Sequence, residues 1–187
     1  MELVYYQGAE RPEERFSFFV IPEDDDGINN LEELYLYQDR EGLRWLLTSD
    51  DWVTFESEGQ TWIGSRGIAM ADNETLPRGQ YRAVLVNKGG ERTEKTFTFD
   101  APPEPRFSFP YLYITDGIYR IESDYPVHRF LCYDGQGNLV TTLLIEQPGG
   151  ALEDLRLASS IRAVALWAED PEYYTSALTD VVPLRND

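Results

Sequence analysis

The sequence predicts an all-β protein built from two tandem β-sandwich domains. Three observations point there. Short runs of aromatic and β-branched residues recur between glycine and aspartate turns. A proline-rich segment interrupts the chain near its middle, and segments of the first half return in the same order in the second.

The strands can be read off in order. Phe16–Ile21 is rich in aromatic and branched residues, and Leu34–Tyr37 and Leu43–Thr48 flank the polar turn Gln38-Asp39-Arg40-Glu41-Gly42. Trp52–Ser57, Thr61–Ile63 and Gly67–Ala71 read as further short strands, and Tyr81–Asn87 and Thr93–Phe99 flank the glycine turn Lys88-Gly89-Gly90. The second half continues with Tyr111–Thr115, Ile118–Glu122, Val127–Tyr133, Leu139–Ile145, Ile161–Trp167 and Tyr173–Leu178. Helix signals are short. Asn30 before Leu31-Glu32-Glu33 reads as a cap with an acidic first turn, and Ala151–Ala158 carries Leu152 and Leu155 at helical spacing.

The segment Ala101-Pro102-Pro103-Glu104-Pro105 cannot continue a hydrogen-bonded ladder. It predicts domains at 1–100 and 105–187, both of plausible size. Arg15-Phe16-Ser17-Phe18 recurs as Arg106-Phe107-Ser108-Phe109. Tyr37 with Gly42-Leu43 and Leu46-Leu47 recurs as Tyr133 with Asn138-Leu139 and Leu143-Leu144, and Arg82-Ala83-Val84 recurs as Arg162-Ala163-Val164. Three matches in one order predict a duplication in which the second copy has a shorter middle.

The run Leu76-Pro77-Arg78-Gly79-Gln80-Tyr81-Arg82-Ala83-Val84-Leu85-Val86-Asn87, followed by Gly89-Gly90-Glu91, resembles the penultimate hairpin of fibronectin type III and other immunoglobulin-like domains. That resemblance implies a tyrosine corner, with the Tyr81 hydroxyl bonded to backbone of the preceding loop. A buried tyrosine needs such a partner in any case. Trp45 looks like the core tryptophan of an immunoglobulin-like third strand. The second copy departs from the pattern, with Ile161 in place of Tyr81 and Thr142 near the place of Trp45. The resemblance implies the fold, two tandem immunoglobulin-like β-sandwich domains, and leaves the role open.

Composition narrows the partners. Sixteen Lys and Arg stand against 34 Asp and Glu, for a net charge of −18, and both halves are acidic. The densest basic stretch, Arg78 to Lys95, is diluted by Glu91 and Glu94, which speaks against nucleic acid and anionic lipid surfaces. A single cysteine, Cys132, rules out an internal disulfide and a thiolate metal site, and its apolar neighbours predict burial. No stretch approaches the roughly 20 apolar residues of a membrane span, and no signal peptide is read at Met1–Tyr5.

Catalysis finds no constellation. His128 is the only histidine, no Gly-x-Ser-x-Gly elbow is present, and no carboxylate pair stands out among 34 acids. The expectation is that the protein is not an enzyme and needs no cofactor. One loop offers hard oxygens for calcium at Asp24, Asp25, Asp26 and Asn29, together with Asn30; it fails as an EF-hand because Pro22 stands at its first ligand position. The alternative is a solvated acidic loop.

Two other features suggest binding. Trp52 and Trp62 fall in an insert of the first half that the second lacks, and if exposed they would stack on sugar rings. If Tyr81, Ala83 and Leu85 point inward, Val84 and Val86 form an outward apolar stripe. The second copy repeats it with Ile161, Ala163, Ala165 and Trp167 inward, and Val164 and Leu166 outward; such a stripe invites cover, by another domain first, or by a second subunit or a ligand. The expected function is a non-enzymatic binding or assembly module with a protein partner, placed by fold analogy in the cell envelope or at the surface; a cytoplasmic location is the alternative. The alternative function is a carbohydrate-binding module using Trp52 and Trp62.

Overall fold

The computed structural model describes residues 1–8, 11–22 and 27–184. The chain divides into two compact units, one made of Met1–Glu2 and Arg15–Pro103, the other of Leu3–Glu14 and Glu104–Asp187. Strand β1 (Glu2–Tyr6) lies almost wholly in the second unit. The first unit holds β2 (Glu13–Val20) from Arg15 onward, then β3 (Leu31–Gln38), β4 (Leu43–Thr48), β5 (Val53–Ser57), β6 (Gln60–Ile68), β7 (Gly79–Asn87) and β8 (Arg92–Phe99).

The first unit is a sandwich of two antiparallel sheets. One has the order β4-β3-β7-β8 and the other β2-β6-β5. Alternation sends Leu34, Leu36, Tyr81, Ala83, Phe97 and Phe99 to the inner face of the first sheet. Phe16 and Phe18 of β2 meet them: Phe16 lies 4.6 Å from Phe99 and 6.2 Å from Tyr81, and Phe18 stacks on Phe97 at 5.2 Å. Gly64 lets β6 approach β2 closely, since a Cβ there would fall 2.0 Å from the Phe18 carbonyl oxygen.

Strands β9 (Tyr111–Thr115), β10 (Ile118–Glu122), β11 (Val127–Tyr133), β12 (Leu139–Leu144), β13 (Gly149–Ala151), β14 (Ala163–Asp170), β15 (Thr175–Leu178) and β16 (Val182–Pro183) complete the second unit. Its larger sheet runs β12-β11-β14-β15-β1, with β16 also on β14, and its smaller one runs β13-β10-β9. Between them lies a core of Tyr119, Ile121, Phe130, Cys132, Val164 and Leu166. Strand β1 is parallel to β15, with Leu3 opposite Thr175 and Tyr6 opposite Leu178.

Both units share one strand order, β4-β3-β7-β8 in the first and β12-β11-β14-β15 in the second. That is the order of the C′, C, F and G strands of an immunoglobulin-like sandwich. The Tyr81 hydroxyl donates to the Pro77 carbonyl at 2.7 Å, closing the corner that the sequence implied. Trp45 stacks on Tyr81 at 6.2 Å and donates its indole N–H to Ala69, but it sits on β4, one strand later than the resemblance suggested.

The structure differs from expectation in several places. The boundary at the prolines falls between Pro103 and Glu104, yet the first residues of the expected 1–100 domain belong with the second unit through β1. The capped turn near Asn30 is a 3-10 turn at Ile28–Asn30, and Leu31 already starts β3, because Leu31, Leu34 and Leu36 are all buried in the sheet. The expected helix at 151–158 is a single 3-10 turn, Leu152–Leu155. The two short strands expected at 61–63 and 67–71 are one strand, β6. Tyr37 and Tyr133 fall on the equivalent strands β3 and β11, and Ala83 and Ala163 on β7 and β14. Arg15–Phe18 is strand, whereas residues 106–109 lie outside any strand.

Tyr81→Phe removes one hydrogen bond and leaves the Pro77 carbonyl without that donor. A loss of about 1–2 kcal/mol is expected for the first unit, read as a lowered urea midpoint at unchanged slope. An unchanged midpoint would show that the corner bond contributes nothing.

Candidate functional site

The first unit opens along one side, where β8 ends its sheet and faces β2. Two adjoining hollows of about 200 and 380 Å³ lie there and share Val20, Ile21, Ala83 and Lys95 as walls. Leu34, Leu85 and Thr93 line the smaller; Phe18, Phe97 and Trp62 line the larger. The floor is core: Leu34 and Phe18 are buried, and Phe97 and Leu85 are half-buried. The rim is polar, because the inward positions of β8 opposite Ala83 and Leu85 are Lys95 and Thr93, both exposed.

The reason lies in the alternation of β8. Its C-terminal half supplies Phe97 and Phe99 to the aromatic cluster. Its N-terminal half, Arg92-Thr93-Glu94-Lys95, has no apolar residue to close the sandwich. Among the described residues, β8 pairs only with β7, so its outer row of N–H and C=O groups has no strand beside it. In the second unit the corresponding strand, β15, has β1 on that side.

Trp62 reaches this groove from β6. Phe55 stacks on it at 6.1 Å with planes 3° apart, and the Trp62 indole N–H is buried without an acceptor among the described residues. Trp62 is therefore half-buried, with one neighbour already on its ring. Trp52 lies in the turn after β4, half-buried, its backbone N–H donating to Thr48. The two tryptophans thus sit in different settings, one against Phe55 and the other in a turn.

The expected apolar stripe is not exposed. Val84 and Val86 are each 5% exposed, and Val164 and Leu166 are fully buried. On β7 the outward phase is as expected, but the strand is central and has flanking neighbours. Tyr35 and Glu94 stand opposite Val84, and Glu33 and Arg92 stand across from Val86. Long side chains on both flanks shield the short ones between them. On β14 the phase itself is inverted: Val164 and Leu166 pack into the core with Phe130 and Cys132. Alternation cannot show which face is inner when both faces are apolar.

The same outer face of the first unit carries a ladder of rings and guanidinium groups. Tyr35 and Tyr37 stack at 5.7 Å, Arg44 lies 5.8 Å over Tyr35, and Arg82 lies 4.5 Å over Tyr37. Arg82 also pairs with Asp39 at 2.9 Å, and its guanidinium holds that carboxyl below the usual range. Arg78 fastens the chain leaving the unit, donating to the carbonyls of Leu76, Ala101 and Pro102 and covering the Phe99 ring.

Of the calcium residues, Asp24, Asp25 and Asp26 lie outside the described residues, and Asn29 is exposed in the 3-10 turn. Among the described residues no group of three metal-ligating side chains converges. Cys132 is buried as expected, and burial raises its thiol pKa.

His128 is half-buried on β11 with its Nε2 buried and without a partner among the described residues, and burial lowers its pKa. The unfolded chain thus holds this proton more tightly than the native state. The His128 contribution to stability is complete above the ordinary histidine pKa and declines as pH falls through it toward the lowered native value. As the only histidine, its ring signals in NMR report one titration, expected with a midpoint below that of an unperturbed histidine. A midpoint above that value would contradict the buried neutral ring.

No protein-family model and no curated protein matches the chain. Among solved structures, the crystal structure of murine CEACAM1b is similar at 12% identity, over 83% of this chain and 86% of that one, with a TM-score of 0.27. The likeness is faint, and the immunoglobulin-like reading rests on strand order and the tyrosine corner. No helix among the described residues is long and apolar enough to cross a membrane.

Proposed function

We propose that the protein is a non-enzymatic binding module made of two immunoglobulin-like domains, and that its first unit takes up an extended segment of a protein partner beside β8. The observation that carries this reading is the open groove along an unpaired last strand. Backbone groups on that edge supply affinity for any extended chain. Alternate side chains of the guest would enter the hollows floored by Phe18, Leu34 and Leu85. Trp62 lines the larger hollow at the same place. The acidic, tandem character fits a module displayed in the envelope or at a surface, where such domains work. Sugar stacking is the weaker reading, because Phe55 already occupies a face of Trp62.

A displayed library of extended peptides, selected on the intact protein, tests this. Enriched sequences with alternating apolar residues are expected, and their binding should shift the Trp62 emission. Affinity should fall at least tenfold in the double variant Ile21→Asp, Thr93→Asp, which alters two exposed rim positions. No enrichment over a control surface, or equal binding by the double variant, would contradict the proposal.

A further inference from the structure

We propose that a second binding edge, independent of the groove, joins two copies of this chain: β12 of one copy pairs antiparallel with β12 of another, centred on Thr142. Strand β12 ends the larger sheet of the second unit, so one side of its backbone has no strand beside it among the described residues. Its sequence, Leu139-Val140-Thr141-Thr142-Leu143-Leu144, carries no charge in a chain of which 27% is charged. Three of its four apolar residues, Leu139, Val140 and Leu144, are 54%, 45% and 50% exposed. Edge strands that stay solitary are blunted by charge, proline or brevity. Of the edges that have been assigned no guest, β4 carries Arg44, β5 carries Glu56, and β13 has three residues. Strand β12 has none of these protections. The other uncharged edge, β9, is preceded by Pro110, and its Tyr113 is already engaged by Glu122 and Arg120.

The occupant follows from the way the strand pairs with itself. A net charge of −18 opposes association through the rest of the surface, which confines a contact between copies to this uncharged strand. A two-fold axis relating antiparallel strands of one sheet stands perpendicular to it and keeps each face on its own side. It must therefore pass beside a residue that faces its own copy. Placed at Thr142, it sets Thr142 opposite Thr142 of the second copy, Val140 opposite Leu144, and Thr141 opposite Leu143. Threonine pairs and aliphatic pairs are favourable neighbours across strands. At the ends Asn138 meets Glu146, the nearest charged residue after the strand, so no like charges are opposed. The bulge in the β11–β12 pairing lies at the start of β12, and the register from Thr141 to Leu144 is regular.

Sedimentation velocity up to about 0.2 mM protein should show a monomer–dimer equilibrium for the full chain. Thr142→Lys sets two lysines directly opposite each other at an exposed position and should weaken dimerisation at least tenfold, with an unchanged thermal melt. Thr115→Lys, the matching change on β9, should leave the dimer intact. Thr142→Cys should form a disulfide-linked dimer under mild oxidation, because directly opposed strand positions lie within disulfide reach and Cys132 is buried. Thr115→Cys should form none. A wild-type chain that stays monomeric at that concentration, a dimer untouched by Thr142→Lys, or a dimer lost in Thr115→Lys would each overturn the assignment. Peptide capture in the groove of the first unit is unaffected by any of these changes, so the two proposals fail separately.

Discussion

An open β-sheet always ends in two strands whose outer backbone groups lack a partner, and the way each end is managed shapes this protein. An N–H or C=O group left beside apolar surface without water or a partner is costly, so an edge must be wetted, charged or covered. The two units meet that demand differently with the same strand order. In the second, β1 comes from the far end of the sequence and lies parallel to β15. In the first, β8 stands alone, wetted and charged along its N-terminal half, with the sandwich open beneath it. The groove is the consequence of an edge left uncovered where apolar residues run out.

Much of the fold was legible because local signals agreed. Glycine turns at Lys88–Gly90 and Asp116-Gly117 marked hairpins, and the Leu-Pro-x-Gly run before Tyr81 marked the corner. The alternating pairs Phe16 and Phe18 on β2, and Phe97 and Phe99 on β8, build the core of the first unit within segments that read as strands. The place of β1 was not legible. Its partner β15 lies some 170 residues away, and parallel pairing leaves no turn signal in the sequence. The start of β3 is masked in the sequence because an asparagine before two glutamates carries a helix-start pattern that the burial of Leu31 and Leu34 overrides.

The binding features were harder to read, because they depend on what is missing. A stripe such as Val84 and Val86 looks exposed by alternation, and only the neighbours across the sheet show that it is covered. For β14 both faces are apolar, so the sequence left its inner face undetermined, and Val164 and Leu166 proved to be core. For Trp62 the sequence offers only its place in an insert; that its half-buried ring lines the groove, with an indole N–H that finds no acceptor among the described residues, depends on the fold. The charge-free run at β12 was visible throughout as composition. Its meaning depends on knowing that the strand is an edge.

The central claim is that the last strand of one sandwich is covered and that of the other is bare. Residue-resolved amide hydrogen exchange on the intact chain tests it most directly. In β8 the account predicts alternation, with amides facing β7 protected and those facing outward exchanging at rates near those of an open chain. In β15 it predicts protection of both rows, one from β14 and one from β1, with matching protection in Leu3–Tyr6. Uniform protection along β8, or rapid exchange throughout Leu3–Tyr6, would contradict it.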